Sequence, residues 1–134
     1  MIESYFHNQE GYNPFLIRDH WQVAQLNYLP KHGFEEIDQI EMHYHTDEVF
    51  LLVKGQAVLI AVNIEEEPFR FECQKMVPGV TYNIPAGTWH NIAMDKEAQI
   101  MIVERSYTHL HDCMYFNLTS EQTLFLKDLI HKQL

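Results

Sequence analysis

Residues 79–90, GVTYNIPAGTWH, constrain this chain more than any other stretch. Three residues with special backbone chemistry stand at fixed distances from one histidine: Gly79, five residues, Pro85, one residue, Gly87, two residues, His90. Pro85 has a fixed φ and no N–H to give to a ladder, so it belongs at a strand edge or a turn. Glycine adopts conformations that cost other residues energy. The pattern predicts a strand over residues 80–84, a tight turn, and a second strand presenting His90. That is a hairpin carrying a histidine, and it becomes a site only if another segment brings ligands to meet it.

The rest of the chain reads as more of the same material. Runs at 15–18, 21–29, 37–44, 48–54, 57–62, 69–73, 80–84, 90–94 and 98–105 are rich in Val, Ile, Phe and Tyr, and most are bounded by Gly, Pro, Asn or charge. Their spacing of roughly 8–12 residues is the rhythm of an all-β sandwich or barrel. No helical period is evident before residue 115. Thr119 to Gln122 then matches a capping box, and Phe125, Leu126, Leu129 and Ile130 fall on one helical face. One C-terminal helix over about 120–132 is expected to pack outside a β-body spanning about 15–106, with a dimer contact as the lesser alternative.

Length and charge narrow the function classes. The 134 residues suit one domain, with 46% hydrophobic and 21% charged residues, as in a folded globular chain. A formal net charge of −10 offers nothing to nucleic acid and is repelled by anionic membranes, so neither is an expected partner. No run of about 18 apolar residues is present, and the first residues lack the basic-then-apolar pattern of a leader. A cytoplasmic protein with free thiols at Cys73 and Cys113 is the expectation.

The densest set of potential ligands is Glu41-Met-His43-Tyr-His45-Thr-Asp-Glu48. Residues two apart on a strand share a face, so Glu41, His43 and His45 could line one side. Imidazole with carboxylate suits Zn, Mn, Fe, Ni or Cu. His90 could join them from across a barrel.

These segments resemble the two motifs of the cupin superfamily. Residues 79–90 match the second motif as far as its histidine, and Glu48, six residues, Gly55 matches the second half of the first. The motifs cover about a third of the chain. The resemblance implies a small, single-domain, RmlC-like cupin: a jelly-roll barrel, or double-stranded β-helix, holding a divalent metal by three His and one Glu. It implies a homodimer and no single reaction, because cupins include isomerases, epimerases, dioxygenases, decarboxylases and non-enzymatic binders.

Two departures from the motifs matter. The family leaves three or four residues between its His-x-His pair and the Glu, whereas His45 and Glu48 are separated by two. A two-residue Thr46-Asp47 hairpin is poor turn chemistry. The preferred frame therefore keeps residues 44–47 in the turn, with His43 opposite Glu48 and Glu41 in the first histidine's place. The fourth ligand stays open between Glu41 and His45, the latter at the barrel mouth with acid–base capacity near neutral pH. The second departure is Met94, which stands where the family has Asn, and it reads as a thioether near the site. The expected function is a metal-dependent enzyme of isomerase, epimerase or oxygenase type on a small polar metabolite, with His45 as catalytic acid or base. The alternative is a non-catalytic, metal-free binder of a small ligand. Of the other histidines, His7, His20 and His32 read as surface, and His109 and His111 as a loop pair without a matching carboxylate.

Overall fold

The computed structural model describes residues 1–134. The β-rich runs form ten strands: β1 (Gly11–Ile17), β2 (Gln22–Asn27), β3 (Gln39–Met42), β4 (Glu48–Lys54), β5 (Ala57–Asn63), β6 (Arg70–Lys75), β7 (Thr81–Ile84), β8 (Trp89–Met94), β9 (Gln99–Glu104) and β10 (Met114–Asn117). One sheet has the order β1-β2-β9-β4-β7 and the other β10-β3-β8-β5-β6. Every pairing is antiparallel. The helices are a single turn, α1 (Thr108–His111), and the long α2 (Ser120–Gln133), with a 3-10 turn at Pro30–His32. The architecture is thus an all-β jelly roll with one long C-terminal helix. No helix is long and apolar enough to cross a membrane.

Several expectations need correction. The segment around His90 is not a hairpin: β7 pairs with β4 in one sheet, whereas β8 pairs with β3 and β5 in the other. The turn between them crosses from sheet to sheet. The same holds between β3 and β4, so residues 43–47 form a bridge between sheets and not a hairpin loop. The first strand begins at Gly11, ahead of Phe15, and runs through Pro14. Proline is tolerated there because β1 is an edge strand, and its register shifts between Pro14 and Leu16. Three short elements escaped the sequence reading altogether: the 3-10 turn at Pro30–His32, α1, and β10, which adds an edge strand to β3. Each is three or four residues long and lies outside the longer apolar runs, so its periodicity is too weak to be seen.

Alternation along the strands makes two cores. Inward residues of both sheets, including Leu26, Phe50, Leu52, Ile92, Met94, Ile100 and Ile102, fill the barrel. The outward residues Val58, Ile60, Val62 and Ala93 of the second sheet pack with Leu126 and Ile130 of α2. Trp89 faces this outer layer, with its ring centroid 6.0 Å from that of Phe116. Helix α2 starts where the capping box predicted: Thr119 Oγ1 accepts from the Gln122 amide at 3.2 Å, and Gln122 Oε1 accepts from the Thr119 amide at 2.9 Å. Thr119→Ala is expected to cost about 0.5–2 kcal/mol, with Thr119→Ser near neutral. Urea denaturation checks it, and equal losses for both variants would argue against the cap.

Candidate metal centre

Strand parity and two stapled loops assemble the centre. Glu41 and His90 are directly paired across β3 and β8. His43 lies two residues beyond Glu41, and Glu48 is the first residue of β4. The sheet-crossing loop that carries His43 and the one that leads into His90 on β8 are tied together. The Gly87 N–H donates to the His43 carbonyl at 2.7 Å, and Asp47 Oδ1 accepts from the Ala86 N–H at 2.9 Å. Gly87 holds φ +80°, the left-handed region that glycine enters at little cost. Asp112 fastens the first loop from its other side, accepting from the amides of Tyr44 (2.9 Å) and His45 (2.8 Å).

One ligand atom each from Glu41, His43, Glu48 and His90 lies within 4.8 Å of the others. Glu48 Oε2 is the hub: it accepts from His43 Nε2 at 2.9 Å and from His90 Nε2 at 2.8 Å. Glu41 Oε1 is 3.8 Å from His90 Nε2. On the far side of each ring, His43 Nδ1 donates to the Asp112 carbonyl at 2.6 Å, and His90 Nδ1 to the Thr88 carbonyl at 2.8 Å. Those carbonyls keep a proton on both Nδ1 atoms and aim both Nε2 atoms at the centre, the arrangement that orients metal-binding histidines. Phe50 packs edge-on beneath His90, 6.2 Å between ring centroids, and keeps the floor apolar.

The electrostatics follow from burial against pairing. Burial pushes the Glu48 carboxyl up, but hydrogen bonds from His43 and His90 and their charge outweigh it and hold it down at about 2. Burial pulls His43 down, yet the Cys113 thiol and Glu48 carry it up to about 11. His90 is likewise raised, with Glu48 overcoming burial. Burial and the neighbouring Glu48 charge raise Glu41.

Of the residues singled out in sequence, four meet and one does not. The ring of His45 is exposed on the crossing loop, beside Tyr44, and does not line the cavity that opens onto the centre. Met94 is also distant: it is fully buried in the barrel core, four residues along β8 from His90, about 13 Å at strand rise. His32 and His109, read as surface and loop, instead line the cavity, as does Cys113. His32 Nδ1 is 3.0 Å from the Ile92 carbonyl. Tyr12, Gln22 and Glu104 form a further buried polar group that sequence reasoning passed over. An acid ending the apolar run QIMIVE at the inward parity of Ile100 and Ile102 was the available signal.

Neither a protein-family sequence profile nor a curated protein sequence matches the chain. Solved structures do match. A cupin-2 domain protein from Shewanella frigidimarina covers 74% of this chain and 84% of its own, at 22% identity and TM-score 0.54. The chain has a cupin fold. Its likeness extends to BH2720 from Bacillus halodurans, at 17% identity, 83% and 80% coverage and TM-score 0.59. Streptomyces PAC13, solved with uridine, matches the chain at 12% identity, 86% coverage of each chain and TM-score 0.59.

Proposed function

We propose that this cupin is a metal-dependent enzyme acting on a small polar metabolite, of isomerase, epimerase or oxygenase type. The observation that carries the reading is the shared orientation of His43 and His90: carbonyl-held Nδ1 atoms, with Nε2 atoms converging on two carboxylates. Two imidazoles and two carboxylates make a donor set of Zn, Mn, Fe or Ni type. His43, Glu48, His90 and Glu41 would hold the ion, which supplies Lewis acidity toward a substrate oxygen or, as iron, oxygen chemistry. The cavity beside it measures about 200 Å³ and mixes Phe50, Ile92 and Ile102 with polar groups. That is below the roughly 300–1,000 Å³ of drug-sized ligand sites, so a small metabolite is the fitting occupant.

A second reading, a metal-free binder of a small ligand, draws on one observation. Each imidazole already donates to Glu48, so the cluster is satisfied as an ion-paired network. Elemental analysis separates the two. Purified protein is expected to carry one equivalent of a divalent transition metal, and His43→Ala and His90→Ala are each expected to lose it. Metal absent from the wild type after growth in metal-supplemented medium moves the assignment to the binder.

A further inference from the structure

Two histidines outside the ligand cluster line the cavity, and each ring is tied to the protein through Nδ1. His32 and His109 are both half-buried on the cavity wall. His32 closes the 3-10 turn at Pro30–His32. Strand β3 leaves β8 after the Glu41–His90 pair, and two residues further along β8 the Ile92 carbonyl accepts from His32 Nδ1 at 3.0 Å. Asn91 Nδ2 donates to the Gln39 carbonyl across the same opening, at 2.6 Å. A carbonyl can only accept, so His32 Nδ1 carries the proton, and the neutral ring keeps a lone pair on Nε2.

His109 is held the opposite way round. Gln22, fully buried on β2, accepts from the Tyr107 N–H through Oε1 at 2.9 Å. A backbone N–H can only donate, so this bond fixes the amide with its NH2 turned toward Tyr12 and His109. Gln22 Nε2 donates to the Tyr12 oxygen at 2.9 Å and lies 3.1 Å from His109 Nδ1. His109 Nδ1 therefore accepts, the ring is neutral, and its proton is on Nε2. Burial holds both imidazoles below their usual value. Neither Nε2 has a hydrogen-bond partner, and neither is sealed in: the one buried side-chain N or O atom without a partner is Glu104 Oε2. The cavity thus has a fixed acceptor anchored to β8 in one sheet and a fixed donor anchored to β2 in the other.

We propose that His32 Nε2 and His109 Nε2–H are the ligand-recognition atoms of this cavity, and that the ligand is a small neutral carbonyl compound with an N–H or O–H of its own. The carbonyl oxygen accepts from His109, and the N–H or O–H donates to His32. A ligand with only one of these groups leaves a ring nitrogen without a partner. Four carboxyl groups, Asp38, Glu41, Glu48 and Glu104, line the cavity against one lysine, Lys31, which opposes an anion. An ammonium group has no acceptor to offer the His109 N–H. The assignment rests on the small-ligand part of the reading above and does not depend on the metal.

The test uses protein grown with zinc, with metal content measured on every sample. Nitrogen NMR of histidine-labelled wild type is expected to show His32 protonated at Nδ1 and His109 at Nε2. The signals are assigned by their loss in His32→Asn and His109→Asn. Each asparagine keeps a group for the Nδ1 partner, the Ile92 carbonyl or the Gln22 amide, and lacks Nε2. Two probe pairs exchange a donor for a methyl group of similar size: hydroxyacetone with butanone, and acetamide with acetone. Dissociation constants are read by ligand-observed NMR. Wild type is expected to bind the donor-bearing member of at least one pair about 5-fold more tightly, the worth of one uncharged hydrogen bond. His32→Asn is expected to level that pair, and His109→Asn to weaken both members about 5-fold while keeping the preference. The reverse tautomer at either ring, no preference in wild type, a preference that survives His32→Asn, or carbonyl affinity untouched by His109→Asn overturns the proposal. Should circular dichroism show a variant unfolded, the wild-type signal decides. The His32 Nε2 signal is expected to move with the donor-bearing probe and the His109 Nε2 signal with either member, and a signal that stays in place overturns it. A metal-free wild type that still discriminates a pair ends the metal reading and leaves this one standing; a loaded wild type without a preference does the reverse.

Discussion

Glu48→Ala in the chelated, metal-free protein is expected to lower stability by about 3–5 kcal/mol, the cost of removing one partner from a buried ion pair. Glu48 is 4% exposed and is the acceptor for both His43 and His90, so its loss leaves two buried Nε2–H groups without a partner. Glu48→Gln should cost less, because its amide oxygen can still accept. The same network sets a pH signature. His43 and His90 are raised from 6.5 in the folded state, so their stabilising contribution is complete below about pH 6.5 and is lost as pH rises through the folded values. Glu48 is lowered from 4.5 to about 2, so its contribution is present above about pH 4.5 and is lost as pH falls through 2. Metal-free wild type is therefore expected to be most stable between about pH 4.5 and 6.5 and to weaken as pH rises from about 6.5 toward the raised His43 value of about 11. Glu48→Ala should show a shallower alkaline decline, since the carboxylate that raises both imidazoles is gone and the only charge left to raise His90 is that of Glu41. Urea denaturation across this range decides the matter. A flat wild-type profile, or a decline equally steep in Glu48→Ala, would show that the network carries little stability.

What could be read in the sequence, and what could not, divides along physical lines. Strand content was legible because the inward and outward sets each repeat every second residue. β4 was located to the residue, since Glu48 and Gly55 bound an unbroken apolar run. Pairing was not legible. Residues 79–90 look like a hairpin because strand, turn and strand follow one another, and nothing local says that Pro85 to Thr88 pass from one sheet to the other. Turn chemistry favoured keeping residues 44–47 out of the strands, and His45 is exposed in the structure. The stronger cause lies 67 residues away in the chain, where Asp112 grips the His45 amide. The Tyr12–Gln22–Glu104 group is non-local in the same way: its members are 10 to 92 residues apart and meet only when β1, β2 and β9 are neighbours. His109 was misread for the same reason, since Gln22 Nε2 beside its Nδ1 comes from 87 residues away.

The second large effect is expected at Gly55, for a reason the motif alone does not reveal. Gly55 has φ +80°, and a Cβ there would stand 2.5 Å from both Cα and N of Ala98 and 2.7 Å from the carbonyl carbon of Glu97. Those are backbone atoms and cannot swing aside. The turn at 95–98 is also pinned to Gly55's neighbour: the Asp95 N–H donates to the Gln56 carbonyl at 3.0 Å, and Asp95 Oδ1 accepts from the Gln56 N–H at 3.2 Å. Gly55→Ala is therefore expected to cost about 3 kcal/mol or more, adding a forced backbone shift to the roughly 1–2 kcal/mol of a left-handed residue. Gly79 and Gly87 are the controls. Both have φ near +80° (82° and 80°), but a Cβ at either meets nothing within 4 Å, so their alanine variants should show only the conformational cost, about 1–2 kcal/mol. Denaturant midpoints of the three variants test this, and equal losses would mean that the contact with Ala98 is readily relieved. Gly55 ends β4 at the opposite pole from Glu48, away from the cavity, so Gly55→Ala protein that remains folded should still bind metal. That separates the glycine's role, letting two turns close one end of the barrel, from the chemistry at the other end.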